Sequence, residues 1–227
     1  MKHIIVLATR NEGKVKEFRS ILADHDIDLR SLNDFGPIPE VEEDGETFDD
    51  NAYKKASFTA KILGIPAISD DSGLVVEALD GAPGVHSARY AGEKATDQDN
   101  IDKLLKKMTG VTNRKAAFEC VMSVAVPSGP ALTYEASCEG EITTEPAGDS
   151  GFGYDPVFYY PPLGKTFAEL SSEEKNKVSH RGKAAQEMAG EFDKIIKWLN
   201  SRLTEMKPPK PDHNQFEHND WSEDKMV

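Results

Sequence analysis

The chain has 227 residues, of which 40 are acidic and 27 basic, and its formal net charge is −13. This charge repels a polyanion over most of the surface, so it excludes a general nucleic-acid binder and means that a phosphate ligand would need locally placed cations. No apolar run approaches the roughly 20 residues of a membrane-spanning helix, and the N-terminal segment lacks signal-peptide features. We therefore expect a globular, cytoplasmic protein without membrane association.

The first part of the chain alternates between strand-like and helix-like patterns. Residues 3–9 (HIIVLAT) are an apolar, β-branched run, after which Val15, Phe18 and Leu22 recur at helical spacing. The predicted elements are a strand at 3–9, a loop and then a helix within 10–25, a strand at 29–32, an acid-rich loop at 33–46, a helix between Thr47 and Gly64, and a short buried strand at 66–69.

The second part begins with a predicted strand at 74–79 and contains a long β-hairpin. The remaining predicted elements are a helix that Thr96 caps, hairpin strands at 114–127 and 131–146, a strand at 156–160, and a final helix from about Ser179. Strands that alternate with helices around a hairpin predict an α/β fold with a mixed sheet. We expect one domain over residues 1–206 and a disordered, proline-containing tail over residues 207–227.

The stretch ATRNEGK (8–14) follows the first predicted strand. Thr9, Asn11, Lys14 and the amides ahead of the next helix could hold a phosphate group at the helix N-terminus. An ordinary capped turn between strand and helix explains the same residues. The P-loop pattern is absent from the sequence, so this stretch alone does not decide between the two interpretations.

The stretch SDDSGL (69–74) places Asp70 beside Asp71 where the short strand at 66–69 is predicted to end. The two carboxylates could cap a turn, with Gly73 allowing tight backbone geometry. They could equally hold a divalent cation, since carboxylate oxygens suit Mg²⁺ and adjacent negative charges need a counter-ion. The acid-rich segment EVEEDGE (40–46) could then supply a further ligand, although such segments are usually solvated.

Two later segments combine chemistry-bearing residues. The loop SGFGYDP (150–156) offers an aromatic ring and a carboxylate between glycines, which suits stacking against a planar base; a glycine-rich turn with Phe152 in the core is the alternative. At the start of the last predicted helix, Ser179 explains a helix cap, but the directly following His180 and Arg181 need another explanation.

Six segments together resemble the inosine/xanthosine triphosphate pyrophosphatase family, in that family's order and spacing: LATRNEGKVKEF, EEDGETFDDNA, SDDSGL, GAPGVHSARYAG, GFGYDP and AELSSEEKNKVSHRGKA. The resemblance covers roughly residues 4–203. It implies an elongated mixed β-sheet with flanking helices, two lobes around a central substrate cleft, a homodimer and a requirement for Mg²⁺.

The resemblance also implies the roles of individual residues. Asp71 matches a metal ligand and the catalytic base, Asp70 the acidic residue beside it, and Glu42 the second metal ligand. The implied substrate contacts are Thr9, Arg10, Asn11, Glu12, Gly13, Lys14, Lys55, Ser72, Phe152, Gly153, Tyr154, Asp155, Lys175, His180 and Arg181. Many family members have glycine where this chain has Arg10, so close approach of phosphate to that amide is less easily made here.

The reaction implied is hydrolysis of the non-canonical purine nucleotides ITP, dITP and XTP between the α and β phosphates. The products are a nucleoside monophosphate and pyrophosphate, and the role is to clear the nucleotide pool before these nucleotides enter DNA or RNA. A 6-oxo purine would accept a hydrogen bond from His180 or Arg181, whereas the amino group of adenine would meet a donor and leave buried groups unpaired.

Overall fold

The strand-like runs assemble into a single seven-stranded sheet with helices on both faces, seen in a computed structural model that describes residues 2–205. The spatial order is β2-β1-β3-β4-β5-β6-β7, with β1 parallel to β2 and β3 and every other pair antiparallel. The strands are β1 (His3–Leu7), β2 (Ile27–Ser31), β3 (Ala67–Val76), β4 (Lys115–Ala125), β5 (Ala131–Ile142), β6 (Phe158–Tyr160) and β7 (Lys165–Thr166). The predicted mixed α/β sheet is confirmed.

The helices begin and end largely where local signals predicted. They are α1 (Glu12–Ile21), α2 (Phe48–Leu63), α3 (Asp97–Lys107), α4 (Ser172–Val178), α5 (His180–Gly190) and α6 (Phe192–Glu205). Thr47 caps α2 by accepting a hydrogen bond from the Asp50 amide at 3.1 Å, and Gly64 ends it with a φ of 66°. Thr96 caps α3 in a reciprocal capping box with Asp99.

The prediction of two short strands around the aspartate pair was wrong. Residues 67–76 form one continuous strand, β3, which pairs with β4 along its whole length, from Ala67 opposite Ala125 to Val76 opposite Ala116. The polar residues 69–73 interrupt the apolar pattern, and that interruption suggested a break in the strand. Asp70 and Asp71 therefore lie in the middle of a strand and do not cap a turn.

Two large hydrophobic clusters pack at opposite ends of β3 and β4. Ile68 belongs to a cluster with residues of α1, α5 and α6, whereas Leu74 belongs to a cluster with α3 and the Phe158 and Phe167 rings. The polar middle of β3 lies between the clusters. This arrangement divides the packing into two parts and leaves the aspartates at the boundary.

The helix predicted from about Ser179 is two helices in the structure, α5 and α6, and a further helix, α4, precedes them. Ser179 ends α4 and caps α5, accepting a hydrogen bond from the Gly182 amide at 3.0 Å, and Glu191 separates α5 from α6. A Cβ at position 182 would lie 1.9 Å from the Asn176 carbonyl oxygen, so only glycine allows α4 and α5 to approach this closely. The turn fixes His180 and Arg181 in the first turn of α5.

The predicted tail at residues 207–227 lies outside the described residues. Over residues 2–205, no helix is both long and apolar enough to cross a membrane.

Candidate active site

A cleft of about 450 Å³ opens where β1 ends and β3 continues. β1 stops at Leu7, opposite Ile68, so β3 beyond Ser69 has β4 on one edge and no strand on the other. The cleft is lined by the loop after β1, the middle of β3, α2, the 3₁₀ segment Gly84–Arg89, the loop before β6 and the start of α5. Ligands of α/β proteins bind beyond strand ends of this kind.

Asp70 lies on the face of β3 that packs against α1 and α5. Its Oδ2 atom accepts from Lys14 Nζ at 2.9 Å, from Arg181 Nε at 3.1 Å and from the Ser72 hydroxyl at 3.0 Å. Burial alone would raise the pKa of Asp70, but the charges of Lys14 and Arg181 outweigh it and hold that pKa far below its usual value. Asp70 is therefore a carboxylate whose charged form is strongly favoured by three donors on Oδ2.

Asp71 points to the opposite face of the sheet, because successive side chains of a strand alternate. Its Oδ1 atom accepts from Lys55 Nζ at 2.6 Å, while Oδ2 is buried and has no hydrogen-bond partner. Burial raises the pKa of Asp71 above its usual value despite the opposing charge of Lys55. The site thus contains a carboxylate with one oxygen held by Lys55 and the other buried without a partner among the described residues.

Lys55 connects Asp71 to the acidic loop, which we define as residues 36–46. Lys55 Nζ lies 3.5 Å from Glu43 Oε1 as well as 2.6 Å from Asp71 Oδ1. Burial lowers the pKa of Lys55, but Asp71 and Glu43 more than compensate, so the pKa is raised and the ammonium stays charged. Glu43 lines the cleft, whereas the predicted ligand Glu42 is exposed and lies outside the lining.

The loop after β1 carries the predicted phosphate contacts. Thr9, Arg10, Asn11 and Lys14 line the cleft, and Asn11 caps α1 by accepting from the Lys14 amide at 3.1 Å. The Arg10 guanidinium donates to the Leu32 carbonyl at 3.2 Å. Cations and amides thus converge at the start of α1, as an anion site requires.

Glu12 and Gly13 are the first two residues of α1, directly after this loop, and lie outside the cleft lining. The Glu12 carboxylate accepts a hydrogen bond from the Asn33 side chain on the surface. A Cβ on Gly13 would lie 3.0 Å from the Phe152 ring, so glycine lets this loop pack against the aromatic residue. Glu12 and Gly13 therefore act on the loop's shape in this structure, and their contact with substrate stays a prediction.

Phe152 covers a pair of cations on the other side of the cleft. Lys175 Nζ lies 4.6 Å from the Phe152 ring centroid, and the Arg181 guanidinium carbon lies 5.4 Å from it. Asp155 Oδ2 accepts from Lys175 Nζ at 2.7 Å and from the Phe152 amide at 3.0 Å, and burial raises the pKa of Asp155 against the charge of Lys175.

The remaining residues of that loop are fixed from the neighbouring wall. The Tyr154 hydroxyl donates to the Ser87 carbonyl at 2.9 Å, and the Gly153 amide donates to Asp97 at 2.7 Å. Both residues line the cleft. The loop that carries the Phe152 ring is therefore held by hydrogen bonds at Phe152, Gly153 and Tyr154.

Glu17 is a site residue that sequence reasoning missed. It lies on α1, one turn after Lys14, and joins two predicted cations: Oε1 is 3.2 Å from Lys175 Nζ and Oε2 is 2.7 Å from Arg181 Nη1. Burial raises its pKa, but Arg181 and Lys175 outweigh this and lower it. Its helical spacing from Lys14 could have indicated that Glu17 faces the site. The neighbouring sequence gave no indication that Lys175 and Arg181 are its partners.

His180 is buried and lines the cleft at the start of α5. Its ring stacks on Phe118 with centroids 4.6 Å apart and planes 13° apart, and its Nδ1 atom is buried without a hydrogen-bond partner. Burial lowers the pKa of His180 well below its usual value, and the nearby Arg181 lowers it further. His180 is therefore a neutral imidazole that offers one nitrogen to a ligand.

All the other predicted contacts meet in this cleft: Ser72, Gly153, Tyr154 and Asp155 line it together with Lys55, Lys175, His180 and Arg181. A neutral imidazole, an aromatic ring, several cations at a helix N-terminus and one open carboxylate oxygen share one cavity. This combination is typical of enzymes that act on the phosphates of a ligand with a planar base.

The similarity to known proteins agrees with this class. A profile described as the Ham1 family matches residues 5–191, and the chain belongs to that family. The dITP/XTP pyrophosphatase of Desulfotalea psychrophila is 65% identical over 219 residues, covering 96% of this chain and 98% of that protein. The dITP/XTP pyrophosphatase of Syntrophobacter fumaroxidans is 61% identical over 206 residues, covering 90% and 89%.

Solved structures support the same family. A HAM1 protein from Coxiella burnetii aligns with a TM-score of 0.79 and 42% identity, covering 85% of this chain and 99% of that one. The Ham1 protein of Staphylococcus aureus aligns with a TM-score of 0.72 and 42% identity, covering 90% and 100%. The predicted family resemblance is confirmed, and so is its fold.

Proposed function

We propose that this protein hydrolyses non-canonical purine nucleoside triphosphates, dITP, ITP and XTP, to the monophosphate and pyrophosphate. The observation that carries the proposal is the Oδ2 atom of Asp71, which is buried and has no hydrogen-bond partner among the described residues. Asp71 lines the cleft together with Lys14, Lys55 and Lys175. The relatives named dITP/XTP pyrophosphatase, at up to 65% identity, support the substrate class.

Mg²⁺ is the proposed cofactor, and the oxygen donors present suit it. Within the described residues no cluster of three potential His, Cys, Asp or Glu ligands occurs, so nucleotide phosphates and water would have to supply most of the ligands of a bound Mg²⁺. The ligands would be Asp71 and one glutamate of the acidic loop. The family resemblance points to Glu42, whereas Glu43 is the one that lines the cleft. Bound there, the ion would offset phosphate charge.

Asp71 is the proposed general base. An oxygen without a partner can accept a proton from a water molecule next to the α-phosphorus, and a raised pKa makes the carboxylate a better proton acceptor. Lys55 orients the carboxylate through its other oxygen, at 2.6 Å. Asp70 supports the reaction indirectly, because it holds Lys14 and Arg181 in place.

The lysines would stabilise negative charge on the departing pyrophosphate. Lys14 is at the N-terminus of α1, where the helix dipole also favours an anion. Each of these lysines has a carboxylate partner in the cleft, so its position is fixed before the ligand arrives. Such preorganisation avoids reorientation of the charges during the reaction.

Base selection is proposed to rest on His180 and Arg181. Arg181 Nε donates to Asp70 and Arg181 Nη1 donates to Glu17, whereas His180 Nδ1 has no partner among the described residues. A protonated Nδ1 would donate to the 6-oxo group of inosine or xanthosine, and the 6-amino group of adenine would put a donor against it. Such a mismatch of a buried group is worth about 1–3 kcal/mol.

The test is a steady-state panel of dITP, XTP, GTP and ATP with Mg²⁺ and separate detection of pyrophosphate and orthophosphate. We expect pyrophosphate release with preference for dITP and XTP over ATP. Orthophosphate as the product would indicate a phosphatase, and tight nucleotide binding without turnover would indicate a nucleotide sensor. Arg181→Ala and His180→Ala should each reduce the dITP-to-ATP preference; an unchanged preference in both variants would contradict the proposed base pocket.

We also propose a cytoplasmic homodimer, on the strength of the family resemblance and of the nucleotide-pool role. Light scattering behind a sizing column measures the oligomeric state directly, and a monomer at all concentrations would contradict the dimer.

A further inference from the structure

The acidic loop is held in the cleft by side chains. Over the described residues, segment 36–46 makes no backbone–backbone hydrogen bond to other parts of the chain. Two anchors come from α2: Asn51 Oδ1 accepts from the Gly45 amide at 2.8 Å, and Lys54 Nζ lies 2.6 Å from Asp44 Oδ1. Both anchors act at the downstream end of the loop.

A third anchor reaches the loop from the opposite wall of the cleft. Arg89 Nη2 donates to the backbone carbonyl of Glu43 at 2.8 Å, across 46 positions of sequence. The other nitrogen contact of Arg89 is weak, with Nε 3.8 Å from the exposed carboxylate of Glu93. The Glu43 carbonyl is therefore the well-formed partner of this guanidinium.

Arg89 extends from a rigid base. It ends the 3₁₀ segment Gly84–Arg89, in which the Ser87 hydroxyl donates to the Gly84 carbonyl at 2.6 Å and accepts from the Leu74 amide of β3 at 2.9 Å. A Cβ at Gly73 would lie 2.4 Å from the Gly84 carbonyl oxygen, so this segment packs directly on the strand that carries Asp71. Arg89 thus ties the acidic loop to β3.

We propose that Arg89 is a positioning residue that fixes Glu43 relative to Asp71. Through the Glu43 carbonyl it sets the place of the Glu43 carboxylate, which lies 3.5 Å from the same Lys55 ammonium that Asp71 contacts at 2.6 Å. The metal part of this inference rests on the proposed function, because it takes Glu43 and Asp71 as the carboxylates that bind the divalent cation. The loop part does not depend on it.

The alternative role for Arg89 is direct contact with the nucleotide, since the side chain lines the cleft. The two roles differ in the nucleotide-free protein. A positioning residue affects the loop and the cation affinity before any nucleotide binds, whereas a nucleotide contact affects only KM. A single donor is enough for a carbonyl, so Arg89→Lys should restore a positioning role.

The experiment compares the full-length protein with Arg89→Met, Arg89→Lys and the control Glu93→Ala, all without nucleotide. Hydrogen exchange measures protection of the acidic loop, and electron paramagnetic resonance measures binding of Mn²⁺ as a spectroscopic substitute for Mg²⁺. We expect Arg89→Met to increase exchange in residues 36–46 and to weaken Mn²⁺ binding by on the order of 10-fold, as outer-shell partners of metal ligands do. Arg89→Lys and Glu93→Ala should stay close to the unmodified protein.

Unchanged exchange in a folded Arg89→Met variant would overturn the inference. Turnover of dITP by the same variants is measured separately, and an increase of KM with unchanged exchange and Mn²⁺ binding would assign Arg89 to nucleotide binding instead. If Arg89→Met does not fold, as judged by its melting transition, Arg89→Gln gives the same comparison because its amide is too short to reach the carbonyl. Failure of the proposed function has a different signature: the unmodified protein would release no pyrophosphate from dITP or XTP, whatever the loop exchange shows.

Discussion

Asp70 and Asp71 are neighbours in sequence and opposites in chemistry. Asp70 has three donors on Oδ2 and a pKa far below its usual value, whereas Asp71 has one lysine partner, an open oxygen and a raised pKa. The difference arises because a strand turns successive side chains to opposite faces, and each face meets a different helix. One carboxylate is thereby committed to structure while the other remains available for chemistry.

The largest expected effect comes from Asp71→Asn. An amide keeps the shape and cannot take a proton, so kcat for dITP should fall by about 10²–10⁴-fold, the usual contribution of a general base. Pyrophosphate release at saturating Mg²⁺ measures this. Asp26→Asn, which removes an exposed carboxylate paired with Lys2, is the control and should retain full turnover. Undiminished turnover in a folded Asp71→Asn protein would contradict the proposed mechanism.

Asp70→Asn should act mainly on stability. It leaves Lys14 and Arg181 without their shared counter-ion, and removing one member of a buried ion pair usually lowers the free energy of unfolding by about 3–5 kcal/mol. Urea unfolding at neutral pH measures the loss, which should exceed that of Asp71→Asn.

The stabilisation that Asp70 contributes should depend on pH in a direction set by its pKa shift. Because the folded-state pKa of Asp70 is lowered, its stabilisation is present above the unfolded value near 3.9 and is lost as pH falls through the folded value. The unfolding free energies of the Asp70→Asn and unmodified proteins should therefore converge in acid. A constant difference at all pH values would be inconsistent with a charge effect.

Glu17→Gln should have a smaller effect of the same kind. Glutamine keeps one acceptor for Lys175 or Arg181 but removes the charge between them, so we expect a loss of about 1–3 kcal/mol in unfolding free energy. The matched control is Glu191→Gln, whose pair with Lys194 is exposed and is expected to contribute little to stability. Equal losses of unfolding free energy for the two substitutions would show that the buried ion pairs of Glu17 contribute no more stability than an exposed pair.

The smallest expected effect is a shift in the pH dependence of kcat, caused by a change in the pKa of Asp71. Lys55 opposes the rise that burial causes in the pKa of Asp71, so Lys55→Met should raise this pKa further. The acidic limb of the kcat–pH profile should then move to higher pH. Lys61→Met, which removes an exposed lysine in the last turn of α2, is the control and should leave the limb in place.

Local patterns were sufficient for much of the fold. Caps at Thr47 and Thr96 predicted the starts of α2 and α3, and the long apolar runs around Ser128-Gly129-Pro130 predicted the β4–β5 hairpin. They failed where tertiary packing overrides the pattern. The polar centre of β3 and the continuous helical spacing after Ser179 both predicted boundaries different from those of the structure.

By itself, the sequence determined which residues could carry chemistry, because six motifs in register identify the family and bring its candidate residues with them. Only the tertiary structure decided how those residues differ. Asp70 and Asp71 acquire opposite pKa shifts because the charges of Lys14 and Arg181 outweigh burial at Asp70, whereas burial outweighs the charge of Lys55 at Asp71. Arg181 and Lys55 lie 111 and 16 positions away from these aspartates in the sequence. Glu17, Glu43 and Arg89 enter the site through contacts of the same long range. The electrostatic environment of a residue depends on its distances in space to other charges, and a local pattern of residues does not encode these distances.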